Sequence, residues 1–588
     1  MKLKFFRLRR SRIIAIIGVI IIASIIFVVG LNFLPTEDYT ISDKTKAVIQ
    51  PAIEKQQKIE DDMEAYYRSG TYTFTNPLVV QNPYGATPLT ALVIFDTPDA
   101  MQISIHVPGK TPQASVDFTF EGFNKHHEVP VYGLYADFTN DVRLKEKNQA
   151  GEITETIVEM KTEPLPVYLD KVKIVQANPD LYNPGMNFTF QDYKFVFDIN
   201  GDIRWFSSLS TFQTFAPLAN GHYLFTYLVH DAPNDVVMEQ DLLGKIYAVY
   251  NVPNGVHHDF AELPNGNLLM TSEGADTKMI NDFIVEFDRS NGHIVRSFDL
   301  KDYLDKNRPN EILSVPEDWL HMNSIVYDSS DQSIIFSSRG QSAVVKMSYP
   351  EMKIQWILGP HDNWGKVLQP YLLTPTGENF EWQWSQHAAT VLSDTTVNGH
   401  KTTNILLFDN GNFRSFEKEK ALSAVNSYSR IVQYQIDETN RTVEQIWEYG
   451  KERGSEIFST SRGSAYRLGN GDFIGNWAEI RKDKNGLATM SQDDSGSVYS
   501  KIIEMNPANK QVVFEANIND VNYRAFRASL YDRCENKDSI VAIKVNNTTI
   551  LDPGEQAVTI LQNVKKNLDR SELWLYGASL KMMKWVKN

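Results

Sequence analysis

From about residue 170 the chain alternates short apolar–polar strands with polar turns, and one pattern returns six times. Each copy is an alternating strand, a turn of polar residues, and a second strand with an aromatic or bulky aliphatic side chain. The copies span 193–206, 236–250, 283–298, 344–358, 432–447 and 501–515. A second hairpin type falls between several of them, in LANGHYLFTY, LPNGNLLMTS, DSSDQSIIFSS and LGNGDFIGNW. Period-two alternation marks half-buried strands. Two such hairpins make a four-stranded sheet that cannot bury its faces alone. Six in series predict a six-bladed β-propeller over residues 169–520, with 521–588 a C-terminal extension that would complete it.

Residues 70–168 also alternate, with frequent turns, and predict a separate N-terminal β-sandwich. The charged stretch 35–69 reads as a helical stalk interrupted at Pro51. Ahead of it, 13–34 is a nearly continuous apolar run of 22 residues without a charge, long enough to span a bilayer. Six basic residues (Lys2, Lys4, Arg7, Arg9, Arg10, Arg12) fill the preceding segment 1–12, and Glu37 and Asp38 follow the run. That asymmetry places the N-terminus in the cytoplasm and everything beyond residue 34 outside the cell. The run is long for a signal peptide and no small-x-small cleavage site follows it, which favours an uncleaved single-pass transmembrane helix. The expected fold class is all-β: a six-bladed propeller with an N-terminal sandwich and a membrane anchor.

Composition narrows the partners. The 588 residues carry 58 basic and 73 acidic side chains, a formal charge of −15 that becomes −21 without the basic N-terminal cluster. An acidic body excludes nucleic acid as the expected partner, so an anionic substrate needs a local cationic cluster. Cys534 is the single cysteine, which rules out an intramolecular disulfide and a thiolate metal site.

Candidate chemistry lies on the inner hairpins. His258 (VHHDFAELPNGNLLM), His321 (WLHMNSIVYDSSDQSIIFSSR) and His387 (WSQHAATVL) each precede a short apolar run. Arg339 ends the second run after His321, and antiparallel pairing returns it there. Equivalent registers predict three imidazoles and a guanidinium at one rim, with Asn323 and Ser324 nearby and Trp319, Trp382 and Trp384 flanking. Insertions at 299–319 and 359–384 add long loops on that side. His222, His257, His293, His361 and His400 read as structural, and Trp356 and Trp447 as core. Three imidazoles suit either an oxyanion site or a zinc site with an open position. Arg339 favours the anion, because a guanidinium repels a dication. A non-catalytic propeller that binds an anionic partner is a third reading. A formylglycine sulfatase is disfavoured, since Cys534 is followed by ENKD.

The segments HMNSIVYDSSDQSIIFSSRGQSAVVKM, WILGP, EWQWSQHA, FDNG and TVEQIWEYGKERG resemble the bacterial aryl-sulfate sulfotransferases over about 170–520. The resemblance implies a six-bladed propeller with an N-terminal β-domain, no cofactor or metal, and homodimers. It implies that His387 is a nucleophile forming a sulfohistidine, that His258, His321 and Arg339 hold the sulfate oxygens and assist the leaving phenol, and that Asn323 binds sulfate. Trp384 is the aromatic rim candidate for flat substrates. The expected reaction is ping-pong, from an aryl sulfate donor to a phenolic acceptor. The runner-up is an extracellular zinc-dependent hydrolase. Some periplasmic members carry a cysteine pair in the loop before the nucleophile; LTPTGENFEWQW has none.

Overall fold

The computed structural model describes residues 43–531, apart from 170–171, 191–192, 228–235, 253, 275–278, 313–314, 398–399 and 492–495, together with the short strands Lys544–Val545 and Thr548–Thr549. The basic segment 1–12 and the expected anchor 13–34 lie outside the described residues. Among the described residues no helix is long and apolar enough to cross a membrane.

The helix Asp43–Arg68 continues through Pro51, where an interruption was expected. Packing further along holds it. Ile53 is fully buried, and Gln56 donates to the Ile246 carbonyl and accepts from the Ile246 N–H, both at 2.8 Å. One glutamine thus pairs with the outer edge of strand Ile246–Asn251 at its first residue, and Lys544–Val545 pairs in parallel with the same strand at Ala248 and Val249. These contacts offset the backbone bond lost at proline.

The N-terminal β-region is organised by one long strand, Ala91–Val107. Its first half pairs with Leu78–Gln81 and Asn124–Val131, its second with Val116–Thr119 and Thr139–Lys147, and Ile153–Lys161 extends the latter sheet. Tyr531 ties this region to the far end of the chain. Its hydroxyl donates to Pro130 O and accepts from Tyr132 N, and its ring stacks on Phe118 at 4.8 Å.

Six four-stranded antiparallel units follow. The first is Ala525–Ala528, Met186–Thr189, Tyr193–Phe197 and the first half of Ile203–Pro217; the second half of that strand begins the second unit, with Tyr223–Tyr227, Val236–Gln240 and Ile246–Asn251. The third is Val256–Glu262, Leu268–Ser272, Phe283–Asp288 and His293–Asp299. The fourth is Met322–Asp328, Ser333–Ser338, Ala343–Ser348 and Ile354–Leu358. The fifth is His387–Val397, His400–Asp409, Arg430–Asp437 and Thr442–Tyr449. The sixth is Ser464–Arg467, Phe473–Lys482, Ser497–Met505 and Val512–Ile518, with Val172–Ala177 added outside. All six repeats read from the sequence fall on the last two strands of a unit.

The first strands of units three to six lie side by side in order, and Ile203–Pro217 lies beside that of the third. Apolar clusters fill the space between sheets: Trp319, Met322, Phe336 and Ile357 between the third and fourth, Trp356, Ile405 and Tyr434 between the fourth and fifth. Trp319, expected at the rim, belongs to this core; it is 1% exposed and its indole donates to Asp282 at 2.9 Å.

Candidate functional site

Three first strands begin with the same irregularity. The ladder shifts register between Val256 and Phe260, between Met322 and Ser324, and between His387 and Thr390. A left-handed residue accompanies each shift: His258 (φ 55°), His321 (φ 47°) and Ala388 (φ 50°). Left-handed backbone costs an L-residue on the order of 1–2 kcal/mol, and a bulge re-aims the side chains at its position. Here the bulges bring the imidazoles of three separate sheets together. Ring centroids lie 4.8 Å apart for His258 and His321 and 6.2 Å for His321 and His387.

Hydrogen bonds fix which nitrogen of each ring carries the proton. Asn410 donates its amide to Ser459 O (3.1 Å) and Arg462 O (2.9 Å), so its own oxygen faces His387. That oxygen accepts from His387 Nδ1 at 2.7 Å, which leaves Nε2 with the lone pair. His321 Nδ1 donates to Asp318 Oδ2 at 2.5 Å, and Asn281 holds the other Asp318 oxygen at 2.8 Å. His257, read as structural from sequence, is part of the site. Its Nε2 donates to Ser272 O at 3.0 Å, so its bare Nδ1 must accept from His258 Nδ1 at 2.8 Å. The neighbouring ring thereby selects the His258 tautomer with an unprotonated Nε2.

Burial pushes the basicity of all four rings down: His257 to about 4, His258 and His387 well below the ordinary histidine value, and His321 to a lesser degree because Asp318 favours its charge. After burial, Arg339, His321 and Arg524 are the cationic groups that disfavour a proton on His387. Burial therefore leaves His257, His258 and His387 neutral at pH 7, His321 is the ring that most readily takes a proton, and the His387 Nε2 lone pair is available without prior deprotonation. Among the described residues no three His, Cys, Asp or Glu side chains have the spacing of a metal site. The cationic surroundings would also repel a dication, while they attract an anion.

The structure brings His258, His321, His387 and Arg339 together. Arg339 N donates to His321 O at 3.1 Å, as the expected pairing requires, and its guanidinium makes no hydrogen bond or ion pair among the described residues. The Asn323 amide donates to Gln386 O at 2.8 Å, so it braces the residue before His387, while its own oxygen is buried and unpaired among the described residues. Trp384 is half-buried, with its ring edge-on to Phe416 at 5.0 Å and its backbone N–H donating to Asp409 Oδ1 at 2.9 Å. Gln386 donates to Ser338 O and Ala343 O, and Gln383 to Leu358 O. These bonds hold the loop that lacks cysteines.

Other groups were not found from sequence. Arg524 bonds Asp259 (2.9 Å) and Asn323 O (2.7 Å), and Asp259 in turn accepts from Ile325 N, so three segments are tied across the site. Arg462 (φ 59°) pairs with Glu479 at 3.0 Å. Arg524 lies just past the last recognised repeat, and Arg462 sits in an irregular turn; neither follows a periodic pattern. The adjacent pair His257–His258 was the one available signal.

A family model described as arylsulfotransferase (ASST) matches residues 144–527, and one described as the arylsulfotransferase Ig-like domain matches 78–163. The chain belongs to the arylsulfotransferase family. Its N-terminal β-region is the Ig-like domain of that family. Arylsulfate sulfotransferase AssT of Escherichia coli O6:H1 is 27% identical over 498 residues, covering 65% of this chain and 81% of that protein. The Lelliottia amnigena protein of the same name is 25% identical with the same coverage. An auxiliary nutrient binding protein from Bacteroides ovatus aligns over 74% of this chain and 100% of its own at 10% identity and a TM-score of 0.30, too distant to bear on the site.

Proposed function

We propose that this arylsulfotransferase moves a sulfuryl group from an aryl sulfate to a phenol through a sulfohistidine on His387. The observation that carries the reading is the Asn410 contact, which leaves His387 Nε2 unprotonated in a cationic pocket. In the first half-reaction Nε2 attacks sulfur, the S–O bond to the aryl group breaks, and its electron pair stays on the phenolic oxygen. His321 reacts in the protonated form that Asp318 favours against burial, and gives that oxygen its proton. The second half is the reverse: the acceptor phenol loses its proton to His321 and attacks sulfur, and the N–S bond breaks back to neutral His387. Negative charge on the sulfuryl oxygens in a loose transition state is met by Arg339. No nucleotide donor, metal or cofactor enters this scheme.

The six sheets are read as blades of a closed propeller, completed where Ala525–Ala528 joins the first. Segment 13–34 is read as a single-pass anchor that leaves the catalytic domain outside the cell, and the protein as a homodimer. Carbonate extraction of full-length protein and light scattering of the solubilised enzyme test these last two points.

The mechanism is tested by intact-protein mass spectrometry after brief mixing with phenyl sulfate and no acceptor. One added sulfuryl group, mapped to His387 and discharged by phenol, is the expected result. Phenol release with no adduct overturns the covalent scheme.

A further inference from the structure

Tyr523 stands beside the histidines and has no role in the scheme above. Its ring centroid lies 6.0 Å from that of His258, tilted by 54°. The residue is 6% exposed, and among the described residues its hydroxyl has no hydrogen-bond partner. A buried phenol that makes no bond is unfavourable, since desolvating a hydroxyl costs more than leaving it in water.

The backbone around Tyr523 is held on both sides. Its N–H donates to Phe190 O at 3.1 Å, and its carbonyl accepts from Gly463 N at 3.1 Å. Gly463 has φ 109°, and a Cβ there would come within 2.4 Å of the Phe408 ring, so only glycine permits this approach. The next side chain, Arg524, is anchored to Asp259 and Asn323 O. Asn522, on the other side, bonds Asn476 at 3.1 Å and takes Phe190 N. Three consecutive residues are thus fixed, two with partners on their side chains and the middle one without. Burial pushes the Tyr523 phenol up to about 12, so the hydroxyl keeps its proton at neutral pH. The Arg462 charge reaches Tyr523, His321 and Arg339 alike, which places the phenol in the cationic field of the site.

We infer that the Tyr523 hydroxyl is a substrate-binding donor that reaches a sulfuryl oxygen of the bound aryl sulfate, an assignment that rests on the sulfotransfer reading. The substrate supplies the acceptor that the empty fold does not, and the unmade bond becomes binding energy available to the reaction.

The test is Tyr523→Phe, which keeps the ring and removes the oxygen. Turnover of a series of phenyl sulfates with different leaving phenols is measured beside the thermal midpoint. The expected result is a loss of roughly 100-fold in kcat/KM, equal across the series, with a midpoint at or above that of the parent. An unchanged rate overturns the assignment. A loss that grows as the leaving phenol becomes more basic overturns it too, because the contact would then be to the leaving oxygen. A lowered midpoint with an unchanged rate per folded molecule makes Tyr523 structural and overturns it as well. Parent enzyme is assayed in parallel for the His387 adduct. Absence of that adduct removes the sulfotransfer scheme itself, whereas an adduct with a normal Tyr523→Phe enzyme removes the tyrosine alone.

Discussion

Arg527 and Arg339 lie in two regions of the molecule that treat a guanidinium in opposite ways. Arg527, on the strand that completes the first sheet, is saturated. It pairs with Glu504 with both side chains fully buried, donates to Asn187 at 3.0 Å, and lies 3.7 Å from the Tyr182 ring. Arg339, at the histidine rim, makes no polar contact with another side chain among the described residues. All three nitrogens of the Arg527 guanidinium are bonded, and they join strands from opposite ends of the chain. Arg339 keeps its donors open beside the three imidazoles. Saturation serves folding, and open valence serves a ligand that has yet to arrive.

Mutations should separate the two regions cleanly. At the rim, His387→Ala should lower turnover by on the order of 10³-fold or more, with the thermal midpoint held. A residual rate near wild type would show that the nucleophile lies elsewhere. Arg527→Met should cost about 3–5 kcal/mol of unfolding free energy by leaving Glu504 charged and buried. Denaturant titration measures that loss, while the rate per folded molecule stays the same. Adding Glu504→Leu should recover much of it. Arg339→Met should lower kcat/KM by about 10²–10³-fold without loss of stability; a drop in stability instead would erase the contrast between the two arginines.

The smallest effect is a pH dependence. His257 is held at about 4 in the fold, first by burial, against about 6.5 in an unfolded chain. Between those values the unfolded chain binds the proton and the folded protein does not, so stability rises with pH across that window. The contribution is complete above pH 6.5 and is lost as pH falls toward 4. His258, His321 and His387 act in the same sense. Urea midpoints measured from pH 7 to 4 should fall, and His257→Gln should flatten the decline. A midpoint independent of pH would mean that the rim is open to water.

The strands were legible because alternation survives wherever a sheet has one regular face. All six outer hairpins could be read that way, and the register of His321 with Arg339 followed from hairpin pairing alone. The site's finer parts were not legible, because they depend on places where the period breaks. A bulge shifts the alternation by one residue, so His257 and His258 could not be ranked by pattern, and both belong to the site. Asp318, Asn410, Arg462 and Arg524 reach the histidines from loops or turns whose direction no periodicity records. Trp319 was misplaced for a related reason: aromatic residues look alike in sequence whether they line a rim or fill the space between sheets. The loop before His387 shows how a missing covalent link is replaced. Gln383 and Gln386 each bond backbone carbonyls of the fourth sheet, and glutamine in a loop carries no signature of that task.

The first sheet takes three of its strands from residues 186–217 and the fourth, Ala525–Ala528, from more than three hundred residues later. During synthesis, at roughly 5–20 residues per second, the early strands must wait for tens of seconds with an open edge. Tyr523 and Arg524, which immediately precede the late strand, arrive at the same moment. The histidine rim is therefore completed only once the strand that closes the first sheet has been made, so a shorter nascent chain lacks part of its wall.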